Sequence, residues 1–157
     1  MKSFYSAEKL GPPDLKLAGV QIWVHGRQYP NSQEPYDLDW LNVTAHCGES
    51  GASVWVNGAI LGSSSFATFV RDCKVLYASL EGVAVLRSDE PNLSLTIAAG
   101  STGHVSMAVD ITPEIMDQQH RFRFGDLDQT FLPTLIAQCE SILEAYPNVF
   151  RDRSVDV

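Results

Sequence analysis

The sequence is poor in the residues that mark most kinds of protein chemistry. It holds only three cysteines, Cys47, Cys73 and Cys139, an odd and widely spaced set with no Cys-x-x-Cys pair. That excludes a paired-cysteine zinc ribbon and gives no disulfide framework. All three fall on faces that read as apolar, so buried reduced thiols are expected. Basic residues are also scarce: 11 Lys and Arg stand against 19 Asp and Glu, a formal charge of −8. Such a balance repels nucleic acid and anionic membrane and favours a basic partner. No apolar run approaches the ~20 residues needed to span a bilayer. Met1 to Pro13 contains Lys2, Lys9 and scattered apolar groups, not the uninterrupted apolar stretch of a signal peptide. The expectation is a soluble protein that stays in the cytoplasm. Phosphate-loop chemistry is missing too. Gly100-Ser101-Thr102-Gly103 has no Lys after it and lies between two strand-like segments. There is no Gly-x-Ser-x-Gly elbow and no His-Glu-x-x-His. Nothing calls for a cofactor.

What is present is the material of a small folded domain. At 157 residues and 45% hydrophobic content, the chain can bury roughly two-thirds of its unfolded surface in one core. One domain over residues 14–147 is expected, with 1–13 as a flexible leader and 148–157 as a flexible tail.

Alternation and helical periodicity order the elements. Leu15 to His25 reads as a strand with Val20, Ile22 and Val24 on one face and Gln21, Trp23 and His25 on the other. Gly26 to Tyr36, with Pro30 and Pro35, reads as a loop. Asp39 to Cys47 and Ser53 to Asn57 form a hairpin about the turn Gly48-Glu49-Ser50-Gly51. Ser63-Ser64-Ser65 offers caps for a helix over Phe66 to Leu80, whose Phe66, Phe69, Val70, Cys73, Leu76, Tyr77 and Leu80 make an apolar stripe. Four short strands follow: Val83–Arg87, Asn92–Ala98, His104–Thr112 and Arg121–Phe124. Thr130 caps a last helix that Pro147 ends. The order is β-β-β-α-β-β-β-β-α. Short turns between strands predict an α+β fold, a largely antiparallel sheet of about six or seven strands with two amphipathic helices packed on one face.

Two acidic segments stand out, Asp37-Leu38-Asp39-Trp40-Leu41 and Asp89-Glu90-Pro91-Asn92-Leu93. Each sets carboxylates against the start of an apolar run. Asp37 and Asp39 alternate on an entering strand and, with Glu90, could do acid–base work if they shared a cleft. The competing reading is structural, because Asp and Asn beside Pro91 bond free backbone N–H groups at turns. His25, His46 and His104 share the outward parity of their strands, but their spacing matches no standard metal site, so solvent-facing strand histidines are expected and no metal. Trp23, Trp40 and Trp55 fall on the sheet side away from the helices. Such a face either meets a partner, joins two copies into a homodimer, or is covered by the leader or the Gly26–Tyr36 loop.

These segments, in their order, resemble the WapI-type immunity proteins, small bacterial proteins encoded beside large polymorphic toxins. The resemblance rests on Tyr29-Pro30, on Tyr36-Asp37-Leu38-Asp39-Trp40-Leu41-Asn42-Val43, on Glu90-Pro91-Asn92-Leu93-Ser94-Leu95, on Phe122-Arg123-Phe124, and on a Leu-rich helix ending at Tyr146-Pro147. It covers about Gln28 to Pro147. It departs from the pattern at Asp39, where Asn is expected before the Trp, and at Asn148, where Arg is expected after the Pro. The resemblance implies a protein without catalysis that neutralises a toxin by binding it. On that reading Asp37, Asp39, Glu49, Asp89 and Glu90 supply a negative field toward a basic toxin, and Trp40 and Trp55 are anchors beside it. The alternatives are a homodimeric interaction protein, and a hydrolase using Asp37, Asp39 and Glu90.

Overall fold

A computed structural model describes residues 7–100 and 102–150. A short helix α1 (Ala7–Leu10) leads into strands β1 (Leu15–Leu17) and β2 (Val20–Arg27), then a one-turn helix α2 (Pro35–Asp39). Strands β3 (Trp40–Glu49) and β4 (Ala52–Gly62) follow, and then helix α3 (Ser63–Ser79). The second half holds β5 (Gly82–Arg87), β6 (Leu93–Ala99), β7 (His104–Ile111), β8 (Arg121–Asp128) and helix α4 (Phe131–Ala145). Among the described residues no helix is long and apolar enough to cross a membrane.

The fold is α+β and its strand pairing antiparallel, as the short turns predict. The strands divide, however, into two sheets of order β1-β2-β3-β4 and β5-β6-β7-β8 rather than one. The reason lies in the alternation itself. Leu93, Leu95 and Ile97 on β6, and Val105, Met107, Val109 and Ile111 on β7, are buried, while the residues between them on each strand are not. β3 buries Leu41, Val43, Ala45 and Cys47. Each sheet thus has one apolar face, and two such faces bury each other. The sheets meet through β3 and β4 on one side and β6, β7 and β8 on the other, around a single buried cluster. The helices pack on each other, with α3 against β5 and α4 against β1. Phe66, Phe69, Cys73 and Leu76 of α3, and Leu132, Leu135, Cys139 and Ile142 of α4, supply the buried stripes. Tyr77, expected in the first of these stripes, is exposed at its edge, as is Phe131 at the start of α4.

The leading strand is also not continuous. Ala18, at φ 50°, and Gly19 turn the chain so that Leu15 pairs with Ile22. A Cβ on Gly19 would lie 2.1 Å from the Gly48 carbonyl oxygen, and the Gly19 carbonyl accepts the Gly48 N–H at 3.0 Å. Two glycines therefore let the β1–β2 turn lie on the end of β3. Ser50 and Gly51, both at positive φ, close the β3–β4 hairpin opposite the Glu49–Ala52 pair, as a two-residue turn of the right twist demands.

Candidate functional site

The first acidic segment is not an entering strand. Pro35 opens α2, and Asp37 and Asp39 sit on one helical turn. Proline at the first helical position explains the difference, since its fixed φ favours the turn and its missing N–H costs nothing there. The two aspartates then separate in role. Asp37 is exposed. Asp39 turns back to the start of α3, 24 and 25 residues on, where Oδ1 accepts Ser63 Oγ–H at 2.9 Å and Ser64 N–H at 2.8 Å, and Oδ2 accepts Ser64 Oγ–H at 2.6 Å. A carboxylate bonded to free N–H groups at a helix N-terminus both caps it and opposes its dipole. The fit is tight: a Cβ on Gly62 would lie 2.2 Å from Asp39 Oδ2. Ser65 Oγ accepts the Gly62 N–H at 3.1 Å and completes the junction.

Beside this junction lies an open cleft of about 520 Å³, walled by Tyr36, Asp39, Trp40, Val83, Asp89 and Phe150 among others. Tyr36 is 76% exposed and meets the Phe150 ring edge-on at 5.3 Å between centroids. Arg27 ties together the segments that carry Tyr36 and Phe150. Its Nη1 donates to the Leu38 carbonyl at 2.6 Å and its Nη2 to the Pro147 carbonyl at 2.7 Å, and its guanidinium lies 6.0 Å from the centre of the Tyr146 ring. The Tyr36–Trp40 and Tyr146-Pro147 segments are thereby tied to each other through one side chain.

The second acidic segment forms the β5–β6 loop. Its turn bonds come from the flanking residues rather than from Asp89 or Glu90. Ser88 Oγ donates to the Ile60 carbonyl of β4 at 2.5 Å and accepts the Glu90 N–H at 3.1 Å. Asn92 Nδ2 donates to the Thr112 carbonyl and its own carbonyl accepts the Thr112 N–H, both at 2.9 Å. Asp89 lines the first cleft and Glu90 a second one. Of the expected residues, Asp39, Trp40 and Asp89 therefore share a cleft. Asp37 lines neither cleft and Glu90 lines only the second.

Glu49 and Trp55 lie elsewhere, at the far end of sheet β1-β2-β3-β4. Trp40 pairs with Gly62 and His46 with Trp55, so six residues of strand, about 20 Å, separate Trp40 from the His46–Trp55 pair. The three tryptophans thus form no common patch. Trp23 stacks on Trp55 at 5.8 Å and 18°, is only 3% exposed, and donates Nε1–H to the Gly11 carbonyl at 3.0 Å. The segment before β1 covers it. The leader residues 1–6 and the tail residues 151–157 lie outside the described residues.

The histidines of this face are engaged with neutral side chains. His46 Nδ1 donates to Gln21 Oε1 at 3.2 Å and Nε2 accepts Ser53 Oγ–H at 2.7 Å. Its ring lies 4.3 Å from Trp55, and burial lowers its pKa. Thr44 Oγ1 donates to Asn57 Oδ1 at 3.1 Å, so it accepts from His25 Nε2–H at 2.7 Å. His104 stands on the other sheet. Among the described residues no three His, Cys, Asp or Glu side chains gather as a metal would require. All three cysteines are free and buried. Burial, and then the Glu49 charge, pushes the Cys47 thiol up to about 12. Burial, and then Asp72, does the same for Cys73, to about 12, and burial raises Cys139 as well. None is a ready nucleophile.

Arg27, Ser88 and Phe150 were invisible in the sequence as parts of a site. No local signal marks them, because their contacts with Leu38, Pro147, Ile60 and Tyr36 cross 11 or more residues of chain.

Comparison with curated proteins and with solved structures returned no match. A family model does match. The description of that model is the immunity protein WapI-like family, its match spans residues 14–147, and the chain belongs to that family.

Proposed function

We propose that this protein is a cytoplasmic immunity protein that binds and neutralises a cognate basic toxin domain, without catalysing any reaction itself. The observation that carries the reading is family membership over residues 14–147. The formal charge of −8 supports it, since complementary charge speeds the capture of a basic partner. Asp37, Glu49, Asp89 and Glu90 are exposed and able to supply the field, and Trp40 and Trp55 are half-buried beside it. Asp39 contributes by holding the α2–α3 junction. The separation of Asp37, Asp39 and Glu90 supports a binding role over a hydrolytic one, and the cover on Trp23 removes the main support for a homodimer joined across the tryptophans.

The test uses the C-terminal domain encoded by the reading frame immediately upstream, and a large secreted product is expected there. Co-expression is expected to restore growth, and the two purified proteins are expected to form a tight complex that weakens as salt rises. Toxin released from that complex is expected to have an unchanged intact mass. Absence of a complex overturns the reading, and a covalently altered toxin overturns its non-catalytic part.

A further inference from the structure

An exposed aromatic ring on a fixed base loses little freedom when a partner buries it, and such rings dominate the energetics of interfaces. Tyr36 has that setting. It is 76% exposed, yet the turn that carries it is held at three points. Pro35 opens α2, the Leu38 carbonyl accepts Arg27 Nη1–H at 2.6 Å, and Asp39 is bonded to Ser63 and Ser64. Phe150, the ring that Tyr36 meets, is half-buried. Its segment is held too, because the Pro147 carbonyl accepts Arg27 Nη2–H at 2.7 Å and Asn148 Oδ1 accepts the Phe150 N–H at 3.3 Å. Half-buried Trp40 lines the same space. Folding thus leaves three aromatic rings around one open cleft of about 520 Å³, a size usual for a binding site.

Charge selects the occupant. Among the described residues the charged side chains that line the cleft are Asp39, Asp72, Asp89 and Arg87, so carboxylates outnumber cations. Asp39 is taken up at the start of α3, and Asp72 pairs with Arg71 at 3.3 Å. Asp89 is exposed, and the turn around it is bonded by Ser88 and Asn92 instead. Exposed Asp37 stands next to Tyr36, and the chain as a whole carries a charge of −8. An aromatic-walled cleft in such a field suits a flat cation. A guanidinium stacks on Tyr and Phe rings and gives a carboxylate two parallel hydrogen bonds, whereas an ammonium is a point charge without that planar fork. A second copy of the chain would bring carboxylates to carboxylates.

We infer that this cleft is the docking site for an arginine side chain of the toxin, stacked on Tyr36 and paired with Asp89. The inference rests on the toxin-binding reading and names both the surface and the side chain it takes. The rings supply the buried area at the centre of the contact, and Asp89 supplies the charge that fixes the guanidinium's orientation.

Calorimetry of the full chain with the C-terminal domain encoded immediately upstream tests it, together with phenylglyoxal footprinting of arginines in both proteins. Tyr36→Ala and Asp89→Asn are each expected to keep the wild-type melting temperature and to bind about tenfold more weakly or worse. Asp117→Asn removes the same charge from the exposed loop between β7 and β8, away from the cleft, and is expected to bind like wild type. One toxin arginine is expected to be shielded from phenylglyoxal in the complex. Replacing it by Lys should weaken binding about tenfold to the wild-type chain and add little to the loss in Tyr36→Ala. A complex that shields no arginine, or that both cleft variants form as tightly as wild type, overturns the inference and leaves the immunity reading in place. Equal losses in Asp89→Asn and Asp117→Asn overturn it in favour of a diffuse field. Shielding of Arg151 or Arg153 in the free chain that Tyr36→Ala abolishes overturns it in favour of the chain's own tail, and self-association that Tyr36→Ala abolishes overturns it in favour of a second copy. Absence of any complex overturns the immunity reading first, and this inference with it.

Discussion

Replacing Asp39 separates its structural role from a role in binding. The Asp39 carboxylate accepts three hydrogen bonds at the start of α3, two of them from Ser64 and one from the hydroxyl of fully buried Ser63. A side-chain cap is worth about 1 kcal/mol. A negative charge beside a helix N-terminus adds about 0.3–1 kcal/mol. Leaving the Ser63 hydroxyl buried without a partner costs about 1–3 kcal/mol more. Asp39→Ala is therefore expected to lower stability by about 3 kcal/mol, which for a chain of this length is about 6–12 °C in Tm. Asp39→Asn keeps an acceptor but loses the charge, and about 1 kcal/mol of loss is expected. Asp37→Ala, on the exposed side of α2, should stay within about 0.5 kcal/mol of wild type. Urea unfolding followed by circular dichroism measures all three. If Asp39→Ala were no more destabilising than Asp37→Ala, the long-range cap would not be what organises α3, and the argument would fail.

Three further outcomes follow from the geometry. Gly19→Ala places a methyl group 2.1 Å from the Gly48 carbonyl oxygen and 3.0 Å from the Phe124 ring, so a lower urea midpoint is expected, by about 1–3 kcal/mol; an unchanged midpoint would mean the turn has room to give. With Cys47 and Cys73 raised to about 12 by burial, thiol reagents at mildly alkaline pH should label the native protein only as fast as it opens, and rapid labelling of folded protein would contradict the burial. The His46 pKa lies below its ordinary 6.5 because burial disfavours the cation. The unfolded chain therefore binds that proton first, so the contribution of His46 to stability is full above 6.5 and is lost as pH falls through the lowered native value; an NMR titration showing a His46 pKa above 6.5 would reverse the sign.

The sequence by itself determined the elements whose signals are local. The stripes from Phe66 and from Leu132 recur at helical spacing, so α3 and α4 were legible to within a few residues. Strict alternation over Leu93–Ile97 and Val105–Ile111 marked β6 and β7, and the turn residues Gly48-Glu49-Ser50-Gly51 marked the hairpin. Acidity and the order of the Tyr-Asp-Leu-Asp-Trp, Glu-Pro-Asn-Leu and Tyr-Pro segments led to the family. Period-two alternation is blind to a tight turn that preserves it, so the break at Ala18-Gly19 was hidden inside an apparently single strand. Pairing partners are equally invisible, because an apolar strand face fits a helix layer or a second sheet alike. Only the tertiary structure split the strands into two sheets, brought Asp39 to Ser63 and Ser64, let Arg27 bridge Leu38 and Pro147, and put Gly11 over Trp23. Those contacts join residues far apart in the chain, and their energy depends on three-dimensional position, which composition and spacing along the sequence do not encode.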